Sequence, residues 1–304
     1  MPTLRKTRAL RPGDTVGIAA PAGPVDAERL AAGVALIRQL GFEPLHREDI
    51  TARCGYLAGD DTRRADELMQ LVRDPGVSAI LCARGGYGCH RIVSMLDAAA
   101  VRKAAKPLVG YSDITTLLLW QRRCAGLMGI HGPMLEKLTP APGAHSALAK
   151  ALMGVGAPPS LEGKSLVGGW REGRLTGGSL SVAVASLGTP WEIDTRDGIL
   201  MFEDVNEPPY RIDRMLQQLR AAGKLASLVG VGVGSMVGCE NGGEVSMGAA
   251  EVLEEVLTPL GVPVVSELPF GHAAANLPWP HGGRAAIDGD RGEIELLEFG
   301  VARR

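Results

Sequence analysis

Along the first half of the chain, short apolar runs alternate with stretches in which apolar residues recur every three or four positions. Residues 16–20 form a run of strand length, and in residues 26–40 Leu30, Val34 and Ile37 share one helical face that Gly41 closes. Residues 42–46 then predict a strand, residues 61–72 a helix with Leu68, Leu71 and Val72 turned to a core, and residues 79–82 a buried strand. Beyond a glycine-rich loop, residues 90–96 predict a short helix, 108–109 a strand, 113–123 a helix and 127–130 another strand. Such alternation, joined by right-handed crossovers, implies a mostly parallel sheet covered on both faces. The expected fold is an N-terminal three-layer α/β domain over residues 1–140.

The pattern then changes. Pro140, Pro142, Gly143, Gly154, Gly156, Pro158 and Pro159 interrupt the chain, leaving one helical pattern over residues 145–152, so residues 141–168 read as a linker. The remainder mixes strands (198–202, 228–237, 263–265, 284–287, 293–297) with helices (179–187, 210–221, 249–257), which predicts a second, smaller, mixed α/β domain over residues 169–304.

Composition narrows the function. A chain of 304 residues, 45% hydrophobic and 22% charged, can bury cores of this size. Its formal charge of -2 and the lack of any Lys/Arg block argue against nucleic acid or an anionic membrane surface as partner, and point to small molecules. The basic start, Met1 to Arg8, leads into no apolar core of signal-peptide length, and no apolar stretch reaches membrane-spanning length. Five cysteines without a C-x-x-C pair fit a reducing cytoplasm, with Cys82 and Cys124 as small core residues. The six histidines (46, 90, 131, 145, 272 and 281) lack ligand spacing, so no metal site is expected.

Four places could carry chemistry. Ser112, in Gly110-Tyr111-Ser112-Asp113-Ile114-Thr115, sits between a strand and a helix, where a hydroxyl points away from the sheet and the helix start offers unpaired N–H groups. It is not the G-x-S-x-G elbow, since Ile114 stands where that motif has glycine, and local sequence alone favours Ser112 as the helix cap. Arg84-Gly85-Gly86-Tyr87-Gly88 follows the strand at 79–82, again at a carboxyl edge where open α/β sheets bind ligands. Its glycines let backbone N–H groups approach a ligand, with Arg84 and Tyr87 as candidate contacts; the competing reading is a tight turn with Arg84 paired to a carboxylate. Glu203 ends an apolar strand, where a carboxylate needs a partner: an imidazole, or Arg211 or Arg214 on the next helix. His272, in Phe270-Gly271-His272, can aim its ring from a loop, and His131 is a competing base or a core residue.

Together with Gly132-Pro133-Met134, Gly177-Gly178-Ser179-Leu180 and Leu187-Gly188-Thr189-Pro190-Trp191, these stretches, in this order and spacing, resemble the LD-carboxypeptidase (muramoyltetrapeptide carboxypeptidase) family of serine peptidases. The resemblance runs over nearly the whole chain. It implies a cytoplasmic, homodimeric enzyme of peptidoglycan recycling that removes the terminal D-alanine from murein tetrapeptides, with two α/β domains, the site between them and no cofactor. The family's serine, glutamate and histidine match Ser112, Glu203 and His272, and the backbone N–H groups of Gly86 and Asp113 would bind the oxyanion.

One departure follows the histidine. Where the family has a short Leu-Pro-x-Gly turn, this chain has Leu277-Pro278-Trp279-Pro280-His281-Gly282-Gly283, a longer turn at the rim of the site, with Trp279 expected to pack rather than to stack on a ligand. Two other readings stand beside the peptidase: hydrolysis of aminoacyl-nucleotide toxins by the same triad, since the family includes such immunity enzymes, and non-catalytic binding of a small ligand at the Arg84 loop.

Overall fold

The structure, a computed structural model, describes residues 4–138, 142–240 and 247–302. In chain order its elements are β1 (Thr15–Ala19), α1 (Ala27–Gln39), β2 (Glu43–Leu45), α2 (Asp61–Arg73), β3 (Val77–Cys82), α3 (Cys89–Ile92), α4 (Ala98–Ala104), β4 (Leu108–Gly110), α5 (Thr115–Trp120), β5 (Gly129–His131) and α6 (Pro142–Met153). There follow β6 (Ser160–Glu162), β7 (Lys164–Val167), β8 (Trp170–Ser179), α7 (Leu180–Ala185), β9 (Gly198–Val205), α8 (Pro209–Ala221), β10 (Gly230–Val237), α9 (Ala249–Leu257), β11 (Val264–Ser266), β12 (Trp279–His281), β13 (Arg284–Asp288) and β14 (Glu293–Leu296). None of the described helices is long and apolar enough to cross a membrane. The chain divides into two units.

The first unit comprises residues 1–156, 278–281 and 299–304. Its six-stranded sheet has the order β12-β5-β4-β3-β1-β2, parallel except for β12. β1 and β3 are buried almost throughout, as strands covered on both faces must be. The helices start where acidic side chains cap them: Asp26 accepts from the N–H groups of Glu28 and Arg29, Asp60 from Arg63 and Asp97 from Ala100. α4 had no counterpart in the sequence pattern, and the helix expected over 113–123 is a 3-10 turn (Ser112–Ile114), then α5, then a π turn (Gln121–Ala125).

β2 lies on one side of β1 and β3 on the other, so the crossovers diverge there and leave a crevice outside the carboxyl ends of these two strands. The loops at that edge are laced together: Ala83 N–H donates to Ala19 O (2.7 Å) and Gly23 N–H to Gly85 O (2.9 Å).

The segment read as a longer turn at the site's rim is instead β12, pairing Trp279 with His131 and His281 with Gly129. Pro280, which has no N–H to give, is tolerated because the strand is an edge. Trp279 is 1% exposed and stacks on the buried His131, centroids 4.7 Å apart at 13°. Trp279 therefore packs, and His131 is a core residue.

The second unit comprises residues 157–277 and 282–298. Its eight-stranded sheet runs β6-β14-β13-β8-β9-β10-β11-β7; β8 to β11 are mutually parallel and the flanking strands antiparallel. β8 escapes the sequence pattern because its first half is largely exposed and carries Trp170, Arg171, Glu172 and Arg174. The segment 141–168, read as a linker with one helical pattern over 145–152, holds α6 there and, beyond it, the strands β6 and β7.

Candidate active site

Ser112 follows β4 through the extended Tyr111 and adopts φ +60°, a left-handed conformation that costs a non-glycine residue about 1–2 kcal/mol. Capping requires β-region angles; here Tyr111 occupies the N-cap position, with no side-chain cap hydrogen bond. The strain is held by packing beneath: Ile114, Thr115 and Thr116 are fully buried, and a Cβ on Gly110 would come within 2.8 Å of Ile114. Asp113, almost fully buried, accepts at Oδ2 from the Cys89 N–H (2.8 Å). Burial pushes its carboxyl up, and the Cys89 hydrogen bond draws it back. The turn bearing Ser112 is thereby tied to the end of the glycine-rich loop.

That loop lies against the serine. A Cβ on Gly85 would stand 3.0 Å from Ser112 Cβ and 3.1 Å from its Oγ, so only glycine leaves the hydroxyl unobstructed. Gly86 adopts φ +112°, open only to glycine. Two buried charges on α2 fix the surrounding backbone. Arg64 donates to Pro21 O (2.6 Å) and Gly88 O (2.9 Å) and pairs with Asp61; Glu67 accepts from the Ala20 N–H (2.7 Å) and pairs with Arg63 (3.0 Å). Burial pushes the Glu67 carboxyl up despite Arg63 beside it.

Arg84 donates to Pro24 O (2.9 Å), and its Nε stands 3.9 Å from Glu136. Tyr87, half-exposed, meets Tyr56 edge to face at 5.8 Å. Arg84, Gly86 and Tyr87 line a cavity of about 540 Å³ together with Gly23, Pro24, Arg53 and Tyr56. Sequence reading missed the last two, because residues 51–59 carry no apolar periodicity to mark them.

In the second unit, β9 is buried from Gly198 to Asp204, and Glu203 is completely so. Its Oε2 lies 2.6 Å from His272 Nδ1, while the His272 ring keeps 17% exposure. Burial pushes the Glu203 carboxyl up, and the imidazole's hydrogen bond and charge oppose that shift. Oε1 is buried with no hydrogen-bond partner among the described residues. Neither arginine takes the carboxylate: Arg211 pairs with Glu207 (3.6 Å), and Arg211 and Arg214 both lie over the Tyr210 ring.

The loop after β11 is shaped to bring His272 here. Gly271 adopts φ +110°, and a Cβ there would stand 2.6 Å from Ser235 Oγ and 2.7 Å from Glu203 Oε2. Its N–H donates to Asn276 Oδ1 (3.1 Å), and the Ala273 N–H donates to Ser235 Oγ (3.1 Å). Asp204, beside Glu203, accepts at Oδ2 from the Ser181 N–H (2.7 Å) at the start of α7, and just before it Gly177 lies where a Cβ would clash with the Met201 backbone of β9. An Nδ1–H donated to a carboxylate leaves Nε2 as the basic nitrogen, the tautomer general-base catalysis needs.

Residues 16–132 match the LD-carboxypeptidase N-terminal domain and residues 172–287 the LD-carboxypeptidase C-terminal domain. The chain is 38% identical over 305 residues to the Bacillus subtilis protein named "Probable murein peptide carboxypeptidase", covering 98% of this chain and 95% of that one. It is 31% identical over 292 residues to the murein tetrapeptide carboxypeptidase of Pseudomonas aeruginosa, covering 91% and 94%. The microcin C7 self-immunity protein MccF of Escherichia coli is 26% identical over 331 residues, covering 94% of each. A solved structure of MccF with aspartyl sulfamoyl adenosine has the same fold, with TM-score 0.90 at 24% identity over 98% of this chain and 100% of that one. The chain belongs to the LD-carboxypeptidase family of serine peptidases.

Proposed function

We propose that the protein hydrolyses the L,D-peptide bond to the terminal D-alanine of murein tetrapeptides, with Ser112 as nucleophile, His272 as base and Glu203 as its orienting acid. The observation that carries this reading is the buried Glu203–His272 contact of 2.6 Å, which joins residues 69 positions apart and gives the imidazole an orienting acid. The murein substrates of the relatives support the substrate class.

In this reading Ser112 Oγ attacks the carbonyl carbon while its proton passes to His272 Nε2. The N–H groups of Gly86 and Asp113 stabilise the oxyanion. Collapse breaks the C–N bond as His272 protonates the departing D-alanine amine. Water, deprotonated by the same ring, then attacks the ester, releasing the tripeptide and restoring Ser112. Glu203 stabilises the imidazolium formed in each half. Arg84 and Tyr87 contact the substrate. The setting implied by the family is peptidoglycan recycling by a cytoplasmic homodimer.

The test is release of D-alanine from L-Ala-γ-D-Glu-diaminopimelate-D-Ala by the wild type and by Ser112→Ala. Release by the variant at the wild-type rate removes Ser112 from the mechanism. An aminoacyl-nucleotide assayed in parallel identifies the immunity-type reaction if it is the much faster substrate, and turnover of neither leaves a binding protein.

A further inference from the structure

An exopeptidase must recognise a chain end, and for a carboxypeptidase that end is an α-carboxylate. The cavity outside β1 and β3 adjoins the serine, because Gly85 is packed against Ser112 and its neighbours Arg84 and Gly86 line the cavity wall. Two guanidinium groups line it. Arg84 is partly committed, through Pro24 O at 2.9 Å and Glu136 at 3.9 Å. Nearby Arg91 is bound to Asp61, which it shares with Arg64, with Nε and a terminal nitrogen each 2.8 Å from its oxygens. Arg53 is exposed and has neither an ion pair nor a side-chain hydrogen bond among the described residues. Beside it, Tyr56 and Tyr87 present exposed ring surface (67% and 48%), a wall suited to a small apolar side chain.

From this arrangement we infer that Arg53 binds the substrate's terminal carboxylate, while the Tyr56–Tyr87 pair contacts the methyl group of the terminal alanine. A guanidinium with no internal partner gives up no existing bond when it takes a carboxylate, and its planar fork matches the two oxygens. The inference rests on the proposed peptidase reading and assigns the part of the site that makes it an exopeptidase.

The experiment compares L-Ala-γ-D-Glu-diaminopimelate-D-Ala with the same peptide ending in D-alaninamide, for the wild type, Arg53→Gln and Arg53→Lys. The wild type is expected to favour the free carboxylate by roughly ten- to a hundredfold in kcat/KM, the range for a charge-assisted hydrogen bond. Arg53→Gln loses that preference and leaves the amide unchanged, and Arg53→Lys retains part of it. Affinities of both peptides for Ser112→Ala and for Ser112→Ala combined with Arg53→Gln give the same comparison without turnover. Equal losses on the two peptides, or no loss on either, overturn the assignment to Arg53. Turnover that survives Ser112→Ala overturns the peptidase reading instead, and the binding comparison still reports on Arg53.

Discussion

Replacing Glu203 by glutamine separates what the carboxylate does for catalysis from what it does for the fold. The side chain keeps its shape and can still accept from His272 Nδ1, but the charge that stabilises an imidazolium is gone. A glutamine can also donate to Nδ1 and hold the wrong tautomer, which in serine hydrolases costs about 10⁴-fold in kcat. At about 1.4 kcal/mol per tenfold, that is about 5.5 kcal/mol of transition-state stabilisation. Stability should move the other way. The carboxylate is fully buried and one of its oxygens has no hydrogen-bond partner among the described residues, so the charged form is held at a desolvation cost that an amide does not bear.

Because burial raises the Glu203 pKa above its ordinary 4.5, its favourable contribution to stability is complete below that pH and is lost as pH rises through the raised value. Urea unfolding of both proteins at a series of pH values should show the wild type losing ground to Glu203→Gln as pH rises from about 4.5. D-alanine release by the variant should fall by about 10⁴. A variant with kcat within tenfold of wild type, or a wild type that gains on the variant with rising pH, refutes the reasoning.

Three further outcomes follow from the geometry. Ser112→Ala and Ser112→Gly should both be inactive, but because φ is +60° the glycine variant should be more stable than the alanine variant by about 1 kcal/mol in urea unfolding; equal midpoints would contradict the strain. Gly271→Ala, whose Cβ would crowd Ser235 and Glu203, should cut kcat/KM about 100-fold by displacing His272 by about 1 Å, and unchanged kinetics would show that the loop absorbs the methyl group. Asp113→Ala strands the Cys89 N–H and should cost about 1–3 kcal/mol, whereas Asp113→Asn, which can still accept that bond, should recover most of the loss; thermal unfolding of the pair decides it.

The alternation of β1 to β5 with α1, α2 and α5 was legible because strands covered on both faces must be apolar throughout and their helices must carry an apolar stripe. β8 and β12 were not. β8 is half exposed, and β12 contains the residue type least expected in a ladder, so their existence depends on partners that only tertiary structure supplies. The same holds within the site. A serine gives no local sign of a left-handed φ, because the strain is imposed by packing under Ile114 and not by the residue itself. Glu203 had a candidate imidazole and two nearby arginines, and local sequence could not choose among them. The ordered motifs of the family named His272, and the structure shows the contact. Arg53 lay in a stretch without periodicity and became visible only once the cavity was formed.

The return of the chain to the first unit has a consequence for synthesis. β5 gains its outer neighbour only when residues 279–281 exist, and Phe299 and Val301, both buried in the first unit's core, arrive about 145 residues after Gly156. At the ribosome's rate of roughly 5–20 residues per second, that is a delay of roughly 7–30 s. Until residues 279–281 are made, about 125 residues after Gly156, the nascent first unit leaves β5 as an open sheet edge, able to pair with another chain. The covalent order of the chain thus makes its early half dependent on residues 279–301, and a nascent-chain holdase would be most useful to this protein in that interval.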